Sequence, residues 1–194
     1  MRIAFLTALA CASLVVKEVS ADPLMKYDFV DLAYQWTRDT TTGVAFEEGG
    51  HGLDTKLSYV VADNIALEGG YNYTDFSDFD VNVDRFRYGV ALWNSICDGM
   101  DVVGRLGGIH QEFSSDFGSE TDSGVYGGVQ LRTLLSDDIE GNADVLYDYV
   151  DGNGTWTYGL TAITALGESF GLKTGATIDN DGVVALLAGL RFTM

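Results

Sequence analysis

Val183–Met194, V-V-A-L-L-A-G-L-R-F-T-M, is the stretch from which the fold is read. Counted as an extended strand, Leu186, Ala188, Leu190, Phe192 and Met194 fall on one side. Ala185, Gly189, Arg191 and Thr193 fall on the other, so one face is apolar and the opposite face carries a charge. A soluble protein seldom finishes on a long apolar strand. A barrel in a bilayer needs a last strand that is apolar outside, polar inside and paired with the first.

Working back from that strand, segments of about ten residues with period-two alternation recur as far as Tyr27. They are read as Tyr27–Thr37, Leu53–Val61, Ile65–Thr74, Asp84–Asn94, Asp101–Gln111, Ser123–Leu134, Ile139–Tyr149, Thr155–Ala165, Phe170–Asp179 and the closing segment. Ala62-Asp63-Asn64, Ser95–Met100, Ser136-Asp137-Asp138 and Gly167–Ser169 make short turns at one end. Arg38–Gly52, Asp75–Val83 and Glu112–Asp122 are read as longer polar loops at the other end. Asp151-Gly152-Asn153-Gly154 there is a strong hairpin signal. The predicted fold is all-β: a closed, antiparallel, up-and-down transmembrane β-barrel of ten strands, with eight as the alternative count.

Composition agrees. Pro23 is the only proline of the 194 residues, as suits a sheet that needs nearly every backbone N–H. The chain carries 29 acids against 11 bases, a balance that repels nucleic acid and favours cations or basic partners. Residues 1–21 read as a cleaved secretory signal peptide: Arg2, an apolar run Ile3–Val16, then small residues Val19-Ser20-Ala21 before Asp22. That run is shorter than the ~20 residues a spanning helix needs. Cleavage leaves 22–194 as the barrel and Cys97 without a disulfide partner.

Alternation also suits a soluble secreted β-sandwich, with the aromatic face turned inward. Two patterns favour the membrane. Tyr34, Trp36, Tyr71, Tyr73, Phe86, Tyr88, Tyr147, Tyr149, Trp156 and Tyr158 all fall on the apolar face near the long-loop end. Tyr59, Phe170 and Phe192 fall near the other end, giving two aromatic girdles suited to a water–lipid interface. The bases Lys56, Arg85, Arg87, Arg105, Arg132, Lys173 and Arg191 lie on the opposite faces, the predicted lumen. On the lipid face a cation at the midplane would cost ~2–4 kcal/mol. Asp31, Asp54, Glu68, Glu140, Asp144 and Asp148 share the inward faces. Near-balanced charges in so narrow a lumen are expected to pair across it and close it. The alternative is a small channel lined by Arg85, Arg87, Arg105 and Arg132.

With these features the mature chain resembles the small outer-membrane β-barrel proteins of Gram-negative bacteria, the group around the outer-membrane protein A and X types. The resemblance is of architecture, and Met194 stands where that group usually ends in Phe. It implies the bacterial outer membrane, contact with lipid and lipopolysaccharide, insertion by the barrel-assembly machinery, and a structural or surface-interaction role. A porin-like diffusion channel is the alternative role. No cofactor or metal is expected. Asp78, Asp80, Asn82 and Asp84 are spaced like the start of a calcium loop but lack its Gly and Glu. No enzyme is expected either, because neither His51 nor His110 has a nucleophile and carboxylate at short spacing.

Overall fold

The computed structural model describes residues 24–39, 49–76 and 80–194. Residues 1–21, read as a signal peptide, and most of the first loop lie outside the described residues. Ten strands form one closed ring: β1 Phe29–Asp39, β2 Gly50–Ala62, β3 Ile65–Phe76, β4 Val81–Cys97, β5 Met100–Ser115, β6 Gly118–Ser136, β7 Ile139–Val150, β8 Asn153–Ala165, β9 Phe170–Asp179 and β10 Val183–Thr193. Each strand pairs antiparallel with its sequence neighbours, and β10 closes on β1. Ten, not eight, is the count, and a single closed sheet replaces the sandwich alternative.

The seam is in continuous register, from Phe29 opposite Thr193 to Asp39 opposite Val183. It sets Asp31 beside Arg191, so the closing strand brings its one charge to a partner on the first. The alternation read from the sequence becomes the two sides of the wall. On β1, Ala33 is buried, whereas its neighbour Tyr34 is 57% exposed. Leu67, Leu106, Val129, Leu160 and Leu186 stand exposed on the outside, while Asp31, Glu68, Arg132, Lys173 and Arg191 are buried inside. This is inverted relative to a soluble core. Such a wall is stable only where its surroundings are apolar. The chain is therefore an integral membrane β-barrel.

Asp63-Asn64, Asp98-Gly99 and Asp137-Asp138 connect strands at one end, and each follows a β-bulge, at Val60/Ala62, Ser95/Cys97 and Leu134/Ser136. Asn64 and Gly99 take up the positive φ, 62° and 74°, that these turns demand. At the other end the strands run further than the sequence suggested. Asp75–Val83 and Glu112–Asp122, expected as loops, are largely ladder. β3 continues to Phe76 and β4 begins at Val81, while β5 and β6 pair up to Ser115 opposite Gly118. Beyond the bilayer both faces of a strand are wet. The apolar half of the alternation then disappears although the hydrogen-bond ladder continues.

Candidate functional site

The barrel interior is built upward from the short-turn end. Its floor is the segment Leu24–Asp28, which enters ahead of β1 and crosses to the far wall. Met25 N–H donates to Glu140 Oε2 at 2.6 Å. The Tyr27 ring stacks on Trp93 at 3.8 Å and 8°, and the Arg132 guanidinium lies 4.3 Å from the ring centre. The Tyr27 hydroxyl donates to Asp101 Oδ2 at 2.8 Å, and Ser95 donates to the other oxygen at 2.6 Å. Tyr27 packs with Ala66, Ala91 and Val103, flanked by Val60 and Trp93. The floor is thus a small apolar core with its polar edges satisfied.

Above it, Glu140 is fully buried and gathers four donors besides Met25. These are Arg132 Nε and Nη2 at 3.0 and 2.9 Å, Asn142 Nδ2 at 2.9 Å and Arg191 Nη1 at 3.5 Å. Arg191 also grips Asp31 with Nε and Nη2, at 2.7 and 2.9 Å, while its guanidinium lies 3.9 Å from the Phe29 ring centre. Lys173 reaches Asp31 at 3.1 Å and Asp54 at 3.3 Å. Shared carboxylates thereby tie the seam strands to β2, β6, β7 and β9.

Midway, Glu68 takes Lys56 at 2.8 Å and Arg105 at 2.9 Å, and Arg105 Nη2 donates to Gln130 at 2.6 Å. Tyr126 also projects inward here. Its room comes from two facing glycines: a Cβ on Gly89 would lie 2.9 Å from the Tyr126 hydroxyl, and one on Gly107 would lie 2.6 Å from the ring. Higher still, Arg87 pairs through Nε and Nη2 with Asp148, and Arg85 Nε donates to Gln111 Oε1 at 2.8 Å. Gln35, Thr37, Asn72 and Thr74 complete the upper end with an uncharged network, Gln35 Nε2 donating to both threonines. A cavity of about 180 Å³ remains among these layers, lined by Lys56, Glu68, Arg85, Arg87, Arg105 and others.

All thirteen charged residues read as inward lie on the interior face. Eleven join the ion pairs just described, whereas Arg85 and Asp144 meet no opposite charge within 4 Å among the described residues. Sequence reading passed over the contributions of Tyr27, Trp93 and Asp101. Their signal was parity: Tyr27 is an even number of residues from Asp31, and Trp93 from Arg87, which puts them on the same face.

The aromatic residues stand on the outer wall. Tyr34, Trp36, Phe86, Tyr88, Tyr149, Trp156 and Tyr158 are exposed there, as are Tyr59, Phe170 and Phe192 towards the short-turn end. Tyr71, Tyr73 and Tyr147 are half-buried among their neighbours. Tyr147 lies against Trp156 at 4.7 Å, Tyr71 donates to Asp84, and Tyr73 donates to Asn82 at 3.0 Å. Asp84 and Asn82 therefore face outward beside tyrosines. Asp78 lies outside the described residues, and no cluster of metal-ligating side chains occurs among those described.

The β5–β6 hairpin brings together a pair that sequence spacing hid: His110 Nδ1 and Ser123 Oγ are 3.0 Å apart on the exposed face. No carboxylate forms an ion pair with this ring among the described residues. The flanking backbone amides belong to the β5–β6 ladder. The contact is a cross-strand hydrogen bond.

No family model and no curated protein matches the chain. Among solved structures it is similar to Ail, the attachment invasion locus protein of Yersinia pestis, at 18% identity and a TM-score of 0.42, over 86% of this chain and 100% of that one. It is similar to the N-terminal β-barrel domain of Pseudomonas aeruginosa OprF at 14% identity and 0.47, over 85% and 98%. It is also similar to the KdgM porin, in complex with disordered oligogalacturonate, at 9% and 0.46, over 86% and 99%. Likenesses this distant assign neither a family nor an activity.

Proposed function

We propose that the chain is an outer-membrane β-barrel with a closed interior, serving a structural or surface-interaction role. The observation that carries this reading is the stack of ion-paired side chains above the Tyr27–Trp93 floor. Each shared carboxylate holds bases from different strands, so opening a continuous path would break several buried pairs together, and breaking even one costs about 3–5 kcal/mol. The outer wall suits lipid, and the acids of the long-connection end suit divalent ions held among lipopolysaccharide phosphates. Insertion falls to the barrel-assembly machinery, which would receive the closing strand β10.

Planar-bilayer recording of the refolded chain tests the closed interior. The expected trace has no steady conductance steps. Stable, ion-selective steps would instead establish the second reading, a narrow diffusion channel, which draws its support from the 180 Å³ cavity beside Arg85, Arg87 and Arg105. Membrane fractionation with heat-dependent gel migration tests location, and a chain recovered in the periplasm or medium would reject both readings.

A further inference from the structure

Seven bases line the interior, and six of them reach a carboxylate; Arg85 is the exception among the described residues. Its Nε is occupied by Gln111, but no described residue accepts from its two Nη atoms. Those atoms are not sealed away, because Ser58 Oγ is the one side-chain polar atom found both buried and unpartnered among the described residues. They open onto the cavity that Arg85 helps to line. Gln111 uses its oxygen on Arg85, which leaves its Nε2 donor free at the same place. Arg87 comes next on the inward face of β4, with its own Nε and Nη2 committed to Asp148. Asn72 is opposite Arg85 on β3.

This corner therefore offers hydrogen-bond donors with no acceptor in contact among the described residues: of the carboxylates within electrostatic reach, Asp148 is held by Arg87 and Asp179 accepts the Asp181 and Val183 amides, while Asp144 also lines the cavity without an ion pair. A guanidinium away from bulk water and beside a second guanidinium is an expensive arrangement unless a negative charge completes it. The planar fork of two Nη atoms matches two oxygens of a carboxylate, phosphate or sulfate. The geometry points to a binding site for a small oxyanion at Arg85, supported by Gln111 Nε2 and the nearby charge of Arg87. The anion enters from the long-connection end, since Tyr27 and Trp93 occupy the opposite one. A cavity of about 180 Å³ has room for a free inorganic oxyanion or a short organic acid. The inference goes beyond the proposed role and holds whether or not the lumen conducts.

The test is a titration of the refolded chain in detergent micelles with sodium phosphate against sodium chloride at matched ionic strength, followed by the nitrogen-15 signals of arginine Nε and glutamine side-chain amides. Phosphate is expected to shift the Arg85 and Gln111 signals saturably, and chloride is not. Arg85→Gln is expected to weaken binding by at least about tenfold. Gln111→Glu places a carboxylate next to Arg85 and is expected to fold, judged by gel migration, while losing phosphate. That variant decides the matter if Arg85→Gln fails to refold. Arg38→Gln, on the outer wall, is expected to bind as the parent does. An absent or non-saturable shift in the parent would overturn the site, as would undiminished binding in Arg85→Gln or Gln111→Glu.

Discussion

Glu140 shows what single side chains contribute inside this barrel. Its carboxylate is fully buried and accepts from two arginines, an asparagine and a backbone amide. Glu140→Ala would strip Arg132 of its carboxylate and deprive Arg191 of one of its two. A loss of about 3–5 kcal/mol is expected, measured by urea unfolding from lipid vesicles. Ser58 is the converse case. Its hydroxyl is buried with no partner among the described residues, so Ser58→Ala is expected to be neutral or stabilising by up to about 1 kcal/mol in the same measurement. Parity alone sorts the charges into two faces, and eleven of the thirteen read as inward meet an opposite charge within 4 Å. Which charge meets which was not legible in the sequence, because pairs such as Asp31 with Lys173, or Arg87 with Asp148, join strands far apart in sequence. Their meeting depends on strand tilt and side-chain reach, which periodicity does not encode.

The elements differ in how openly the sequence declares them. Strand centres were plain because lipid on one side and charge on the other sharpen the alternation. Strand ends above the bilayer lost that contrast, so Glu112–Asp122 read as a loop although β5 and β6 remain paired through it. The hairpin ends on Phe117, fully exposed. Chymotrypsin added to intact cells is expected to cleave there, and Phe117→Ala is expected to remove that cut from the fragment pattern on a gel. The floor segment was hidden for another reason: it is too short to show a period, and it lies ahead of the β1 ladder, meeting the closing strand where Met194 N–H donates to Asp28 O at 3.1 Å. Tyr27→Ala would remove both the Trp93 stack and the Arg132 contact, at an expected cost of about 3 kcal/mol. In a Trp36→Phe, Trp156→Phe background, Trp93 emission is expected to move to the red as water reaches the ring.

For the whole molecule, charge is sorted by compartment. Seven of the nine described bases lie in the interior, so the acid excess of the chain falls mainly on its two ends. The belt between those ends is the part that the bilayer tests. Leu160, 67% exposed at the middle of β8, is expected to tolerate Met, whereas Leu160→Arg should lose ~2–4 kcal/mol in vesicle refolding because the cation would face hydrocarbon.

The floor segment also bears on how such a ring comes to be made. Leu24–Asp28 is covalently joined to β1, yet it rests against Trp93, Asp101 and Glu140 on strands across the bore. It either settles into place before β1 and β10 zip together or slips in afterwards through the open mouth. In both cases Leu24 lies at the end bordered by the tight turns. A reporter fused there should be shielded from reagents that label intact cells from outside, while one spliced at Phe117 should be marked.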